Sequence, residues 1–426
     1  MQVQIKPTFY QSFGGINFIE EDIKKINFDS LVTETLGSRS ILAQYSYGDL
    51  LKNIFYSKLI GGDVLDDLNI LKEQLQDHPW LSIASPDTIE YAFQELVQPV
   101  KNEATDTGKE HFINEHRAFN SLLTKICGQT GLLKQREKYT MDYDGHIIEN
   151  NKLDNAFTYK KSEGYYPVVC SINKLPVYLQ NRNGNTPESY NQKSCIATAL
   201  EQCLAKKITV NKFRADACCY EKNTIEYLEK NSITYYIRAE QNENLRIALE
   251  DETEWQPVLL NHCKVEVCSI EESLFGQKTP RRIVAYRRKL SNEQATIFDN
   301  NGYRYSAIVT SDSEATAFDV IEFYNQRGCQ GEHHFKELDY DFSWNKLPFN
   351  NFQLNTIYLY ATAIAYILFQ YVKQKYAGGL SFVNKSMQLK NFILHFVTLT
   401  AKWIHTGRQW VLKIFTTKDY MPVFET

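Results

Sequence analysis

The chain has 426 residues, enough for several domains and a large hydrophobic core. Charged residues make up 23% of it and hydrophobic residues 43%, a globular composition that excludes a largely disordered protein. The net charge is −4, so any contact with nucleic acid has to come from a local basic surface.

The cysteines and the apolar segments indicate a cytoplasmic protein. Nine cysteines without a CxxC pair predict buried thiols in a reducing compartment rather than a structural zinc site. The N-terminus lacks the apolar stretch of a secretory signal. The most apolar run, residues 357–369, is too short to cross a bilayer and predicts a buried helix, so no membrane association is expected.

Residues 1–135 are predicted to form a helical N-terminal region. Apolar residues recur at helical spacing over 45–59, and Gly61-Gly62 follows as a stop signal. Ser85-Pro86-Asp87 has the composition of a helix N-terminus. The segment 64–98 is either a helix-turn-helix or part of a helical bundle that packs on the rest of the chain.

Residues 136–240 change to the two-residue period of strands. The predicted order is three strands (139–148, 164–172 and 175–180), a helix (191–206), a strand (208–215), a helix (221–230) and a strand (233–237). This is the order of an RNase H-like α/β core. We expect the strands 164–172 and 175–180 to form a hairpin.

The pattern then breaks into a mostly β insertion, residues 241–311. Helix returns near Ala317, so residues 312–350 are predicted to complete the core and 351–426 to form a helical C-terminal region. The insertion carries a basic segment, 276–290, with six basic residues and no acid. Either this segment binds DNA or it is the solvated face of a hairpin. The candidate DNA contacts are Arg281, Arg282, Arg287 and Arg288.

Three acids are candidates for a metal site. Asp144 lies on the first core strand, where Asp142 shares its face; Asp216 ends the fourth strand; and Glu332 lies on a predicted helix. Two divalent metals require several hard oxygen ligands from separate elements. If these acids converge, the protein cuts or joins a phosphodiester backbone; the alternative is that they are solvated surface carboxylates.

The sequence motifs around these acids resemble those of the DDE transposases of bacterial insertion sequences, the cut-and-paste group 1 with a β insertion before the third acid. Asp142-Tyr143-Asp144 resembles the family's Asp-x-Asp strand, and Arg214-Ala215-Asp216 matches its Arg-Ala-Asp. The segment from Tyr324 through Arg327 to Glu332 resembles its Tyr-x-x-Arg…Glu helix. The resemblance covers nearly the whole chain.

The chain departs from the family pattern at three positions. His146 stands where Thr is usual, and Glu332 follows Arg327 by five residues instead of four. The family Lys, seven residues after the Glu, falls on Asp339, and the nearest basic residue is Lys336. In a regular helix one extra residue rotates a side chain by about 100°. We therefore predict a π-bulge or a break between Arg327 and Glu332.

The resemblance implies a transposase that uses Mg²⁺, with Mn²⁺ as a substitute, to hydrolyse DNA at element ends and transfer the strand into target DNA. Asp144, Asp216 and Glu332 would hold two metals, with Asp142 in reserve, and Tyr324, Arg327 and Lys336 would contact DNA. A homodimer on paired ends, a DNA-binding or dimerisation role for residues 1–135 and nucleoid association when bound are implied as well. The alternatives are an inactive or domesticated DNA-binding protein and a metal-dependent nuclease of the same fold.

Overall fold

The computed structural model describes residue 3 and residues 9–104, 108–290 and 302–423, with the side chains of all of these except 329–334 and 423. The N-terminal region is mainly helical, as predicted. A short hairpin, β1 (Lys101–Ala104) and β2 (Glu110–Asn114), was not predicted there. The helices are α1 (Ile16–Lys25), α2 (Phe28–Leu36), α3 (Tyr47–Leu59), α4 (Asp67–Gln74), α5 (Pro86–Gln94) and α6 (Arg117–Gln129).

Side-chain caps fix where these helices begin. Ser46 and Asp49 form a capping box at α3, and the Ser85 hydroxyl accepts from the Thr88 amide with Pro86 as the first residue of α5. Helix α4 packs on α3, and α5 packs on a central helix described below. Both therefore belong to a helical layer, in agreement with the bundle alternative.

The RNase H-like core is present. In chain order it comprises β3 (Lys138–Gly145), β4 (Ile148–Glu149), β5 (Ala156–Phe157), β6 (Glu163–Tyr165), β7 (Val168–Ile172), β8 (Leu175–Arg182), α7 (Gln192–Ala205), β9 (Thr209–Ala215), α8 (Lys222–Lys230) and β10 (Thr234–Arg238). The predicted hairpin is β7–β8, and β4, β5 and β6 form a separate small sheet. Strands β3, β9 and β10 are parallel neighbours, so their carboxyl ends meet at one edge.

The insertion extends the core sheet rather than forming a sheet of its own. It contains α9 (Glu243–Asp251), β11 (Gln256–Leu260), β12 (Cys263–Ser273), β13 (Pro280–Lys289) and β14 (Tyr303–Thr310). Because β14 pairs with β10, one eleven-stranded sheet results, in the order β1–β2–β8–β7–β3–β9–β10–β14–β13–β12–β11. The core and the insertion therefore share a continuous hydrogen-bonded framework.

Two long helices follow, α10 (Ala317–Tyr340) and α11 (Phe352–Tyr376). Helix α10 begins at a capping box of Thr316 and Asp319, and its apolar residues Val320 and Ile321 pack on strands of the insertion. Helix α11 is apolar and long enough to cross a membrane, but 94% of its most apolar window is buried inside the protein. It is the central helix of the core, as the composition of 357–369 predicted.

The C-terminal region is not helical throughout, which differs from the prediction. After α12 (Leu389–Phe392) and a π-helical turn (Ile393–Val397), the chain forms a hairpin of β15 (Thr400–Thr406) and β16 (Gln409–Phe415). Ala401 of this hairpin exchanges backbone hydrogen bonds with Gln11. Pairing with the N-terminal segment, which is distant in sequence, thus stabilises strands that local periodicity did not predict.

Candidate active site

The first two candidate acids meet at the carboxyl edge of the sheet. Strands β3 and β9 run parallel in a register that pairs Tyr143 with Ala215. Asp144, the next residue of β3, and Asp216, the first residue after β9, therefore emerge side by side. In open α/β sheets, ligands bind in the crevice outside the carboxyl ends of the strands.

Asp142 is engaged in a buried ion pair. Arg214 donates to both of its carboxylate oxygens, from Nε at 2.7 Å and from Nη2 at 2.9 Å, and both side chains are buried. The same guanidinium donates to the Phe323 carbonyl in the second turn of α10. Asp142 thus ties β3 to β9 and α10, and this geometry favours Asp144 over Asp142 as a metal ligand.

Arg327 connects α10 to the acids. Its Nη2 lies 3.1 Å from the Asp144 carboxylate and donates to the Tyr143 carbonyl at 3.3 Å. Its Nε is buried and has no hydrogen-bond partner among the described residues. Burial and the neighbouring charges of Asp216 and Asp142 raise the pKa of Asp144 to about 6, although Arg327 opposes that rise.

Tyr324 lies one turn before Arg327 on α10 and faces the same region. Its side chain is half-buried, and burial is the largest cause of its raised pKa. Asp144, Asp216, Arg327 and Arg238 also influence this phenol electrostatically. The hydroxyl of Tyr324 and the guanidinium of Arg327 are thus donors on one side of the acids.

Asp216 begins a short 3₁₀ turn, Ala217–Cys219, and accepts a hydrogen bond from the Cys218 amide at 2.9 Å. Potential ligand atoms of Asp216, Glu188 and Cys218 lie within 4.8 Å of one another. Sequence reasoning missed Glu188, because it lies in the loop after β8, where no periodic pattern marks it. Burial and the charges of Asp216 and Asp144 raise its pKa to about 7.

These carboxylates fit a hard divalent cation. Glu188 and Asp216 offer oxygens from two separate elements, and Asp144 lies at the adjacent strand end. One buried oxygen of Glu188 has no hydrogen-bond partner of regular geometry among the described residues. Mg²⁺ and Mn²⁺ prefer such carboxylate oxygens.

Helix α10 is α-helical without interruption from Ala317 to Tyr340, so the predicted π-bulge or break is wrong. The side chain of Glu332 lies outside the described residues. Position 332 is seven residues before Asp339, nearly two helical turns, so the two positions share a face of α10. The role of Glu332 therefore stays a prediction.

Two departures from the family pattern contact each other. His146 Nε2 lies 2.9 Å from both carboxylate oxygens of Asp339, and its ring stacks on Phe335 at 4.5 Å. This pair fastens α10 to the chain just beyond β3. The nearby candidate Lys336 is exposed, with no ion pair among the described residues.

A sequence model of the family Transposase DDE domain group 1 matches residues 3–426. The chain belongs to this transposase family. No curated protein matches it. Among solved structures, it resembles a cryo-EM structure of the piggyBac transposase synaptic complex with hairpin DNA (8% identity, 90% of this chain and 79% of that chain, TM-score 0.45). A Drosophila P element transposase strand transfer complex is more distant (10% identity, 58% and 53% coverage, TM-score 0.23).

In this DDE-family chain, three of the four candidate arginines of the basic segment have partners within the protein. Arg281 pairs with Glu229 of α8 at 2.8 Å. Arg282 donates to the Asp312 and Ala315 carbonyls before α10. Arg287 pairs with Glu266 and lies 4.3 Å over the rings of Trp255 and Tyr303. These contacts support the insertion, and only Arg288 of the four is exposed.

Arg288 belongs to a different basic surface. It lies directly opposite Arg304 on β14, and Arg238 at the end of β10 borders the same cleft of about 500 Å³. Asn325 of α10 also lines this cleft, one residue from Tyr324. All three arginines are exposed, and none has an ion pair or hydrogen bond to another described residue. We name Arg238, Arg288 and Arg304 the arginine cleft.

Proposed function

We propose that this chain cuts DNA at the ends of its own element and joins the freed 3′-hydroxyl to target DNA. The observation that carries the proposal is the arrival of Asp144 and Asp216 at adjacent strand ends, with Arg327 at 3.1 Å from Asp144. A family whose activity is DNA transposition matches the chain over 3–426. Oxygen ligands and a phosphate-binding cation thus lie together, as phosphodiester chemistry requires.

Asp144, Asp216 and Glu332 would hold Mg²⁺, for which Mn²⁺ can substitute. When bound, the metal would activate the attacking oxygen and neutralise charge on the leaving one. The protein's own part is positioning: Arg327 offers a planar donor fork for phosphate oxygens, and Tyr324 offers a hydroxyl beside it. In metal-free protein Arg327 offsets the charge of Asp144, so it is already oriented towards the acids.

The arginine cleft would carry the DNA backbone next to this site. Like charges placed opposite each other on neighbouring strands are destabilising, and a phosphate between Arg288 and Arg304 would relieve that repulsion. Asn325 borders the cleft and adjoins Tyr324. We therefore propose Arg238, Arg288 and Arg304 as the DNA contacts. Arg281, Arg282 and Arg287 are no longer candidates, because they have partners within the protein.

Two finer points rest on the family alone. We propose a homodimer on paired element ends, and DNA binding or dimerisation through residues 1–135. An inactive DNA-binding copy is the second candidate, because Asp339 stands at the position of the family Lys and is engaged by His146.

The test is cleavage of DNA that carries the inverted repeats flanking the coding region, in Mg²⁺ or Mn²⁺. Asp216→Asn should abolish cleavage and leave end binding nearly unchanged, because the shape is kept while a charged ligand is lost. Asp251→Asn, at an exposed position on α9, is the matched control and should cleave normally. Binding without cleavage by the wild-type protein would favour the inactive copy, and cleavage without transfer to added target DNA would favour a nuclease.

A further inference from the structure

Glu188 has a buried carboxylate of which only one oxygen accepts a regular hydrogen bond from a described residue. Its side chain is buried, with the residue 7% exposed. Oε2 accepts a hydrogen bond from the Tyr166 hydroxyl at 2.9 Å, while Oε1 is buried and has no hydrogen-bond partner of regular geometry among the described residues. The Cys218 thiol lies near enough to the carboxylate to lower its pKa. An unpaired buried charge is costly, so this group either keeps a proton or gains stability from a bound cation.

No cationic side chain among the described residues pairs with the Glu188 carboxylate. The neighbouring Arg182 directs its guanidinium to the Pro187 and Glu188 carbonyls, the Gln180 side chain and the Cys195 sulfur, and not to the Glu188 carboxylate. Arg327 pairs with Asp144 instead. The charged groups that influence Glu188 most are the like charges of Asp216 and Asp144.

The fold nevertheless fixes Glu188 in place. The Tyr143 hydroxyl donates to the Glu188 carbonyl at 2.8 Å, and Arg182 donates to the same carbonyl at 3.1 Å; both side chains are fully buried. Tyr143 is the residue before Asp144 on β3. The strand that carries the first catalytic candidate therefore also holds the backbone of Glu188.

Gly145 explains how the carboxylate comes so close to the strand end. A Cβ at this position would lie 2.9 Å from the Glu188 carboxyl carbon and 2.6 Å from a ring carbon of Tyr166. Only glycine leaves room for both groups. In the sequence Asp144-Gly145, the first residue is a candidate metal ligand and the second leaves the space that the Glu188 side chain occupies.

We propose that Glu188 is a metal ligand, sharing a divalent cation with Asp216 through its unpartnered oxygen. This deepens the proposed function, on which it rests, by adding a carboxylate that the family motifs do not contain. The third neighbour, Cys218, directs its thiol towards the Cys219 sulfur at 3.7 Å, and Mg²⁺ and Mn²⁺ prefer oxygen to sulfur. The effective donors are therefore carboxylate oxygens, which select Mg²⁺ or Mn²⁺.

The experiment is Mn²⁺ binding to the full chain without DNA, followed by the electron paramagnetic resonance signal of free Mn²⁺. Glu188→Gln keeps the shape and an acceptor for Tyr166, so it should fold and yet bind Mn²⁺ about tenfold or more weakly. Glu115→Gln is the matched control, because Glu115 also accepts from a tyrosine hydroxyl, that of Tyr178, away from the acids. It should bind as wild type does.

Two further variants separate the outcomes. Gly145→Ala should also weaken Mn²⁺ binding, because the added methyl displaces Glu188, and Glu188→Asp should bind more tightly than Glu188→Gln. Wild-type affinity in Glu188→Gln, with a loss in Asp216→Asn, would overturn the role of Glu188 and leave the proposed function intact. Unchanged binding in Asp216→Asn as well would overturn the proposed metal site itself.

Discussion

The acid cluster, formed by Asp144, Asp216 and Glu188, and the arginine cleft lie at neighbouring positions of one sheet. Their charged groups nevertheless differ in how they are held: the acids have partners within the protein and the arginines do not, among the described residues. Internal hydrogen bonds position the acids: Arg327 pairs with Asp144, the Cys218 amide binds Asp216, and Tyr166 binds Glu188. The arginines of the cleft are exposed and lack partners among the described residues. Groups that hold a small ion need fixed geometry, whereas groups that follow a phosphate backbone obtain their partners from the ligand.

The two aspartates of β3 should separate structural from catalytic charge most sharply. Asp142→Asn removes the negative charge that balances the buried guanidinium of Arg214, so the free energy of unfolding should fall by about 3–5 kcal/mol. Asp144→Asn should cost much less stability, because Asp144 is partly exposed, but it should abolish cleavage. Urea unfolding and the cleavage assay together measure this, and equal loss of stability in both variants would contradict the distinction.

Removing the arginine cleft should weaken DNA binding without affecting the fold. Arg238→Gln, Arg288→Gln and Arg304→Gln together should reduce the slope of log affinity against log salt by about 2.7, or about 0.9 per lost phosphate contact. The melting temperature should change little, since no internal partner is lost. A triple variant of the exposed Arg117, Arg136 and Arg408, with the same change in net charge, is the control. Equal slopes in the two triple variants would remove the cleft from the DNA path.

Arg327 combines features of both regions, because the acids already orient it and we propose that it binds phosphate. Arg327→Ala should slow strand transfer from a pre-cleaved end by about 10–100-fold, the equivalent of one charge-assisted contact of about 1.5–3 kcal/mol. End binding should change less, because the arginine cleft remains. Unchanged transfer would make Arg327 a structural residue only.

The smallest expected effect is a pH-dependent change in the free energy of unfolding, caused by repulsion among the acids of the cluster. The pKa of Glu188 is raised to about 7, so the folded state holds a proton that the unfolded state has released. The unfolded chain binds fewer protons above pH 4.5, and stability therefore falls as the pH rises towards 7. Glu188→Gln should raise the free energy of unfolding by about 1–3 kcal/mol at pH 8 in EDTA and have little effect at pH 4.5. Urea titrations at the two pH values measure this, and equal effects at both would contradict the raised pKa.

The sequence by itself determined the local elements and much of the site. Two-residue alternation predicted β7–β8 and β9, helical spacing and caps predicted α3 and α5, and the order of elements predicted the RNase H-like core. Asp144 and Asp216 were chosen because each lies at or near the end of a predicted strand and matches a family motif, and the parallel pairing of β3 with β9 brings these two ends together. These features depend on residues near in sequence, so local patterns contain them.

The tertiary structure decided which charged side chains have partners within the protein and which are left to bind a ligand. Two-residue alternation places Arg281 and Arg282 on opposite faces of β13, but their partners, Glu229 and the carbonyls before α10, come from other elements. Glu188 has no local pattern and joins Asp216 only through the packing of the β8–α7 loop. The contact of His146 with Asp339 joins residues 193 positions apart. Charge interactions and hydrogen bonds act between residues that are close in space. The sequence therefore identifies the charged residues, whereas the tertiary structure determines which of them pair.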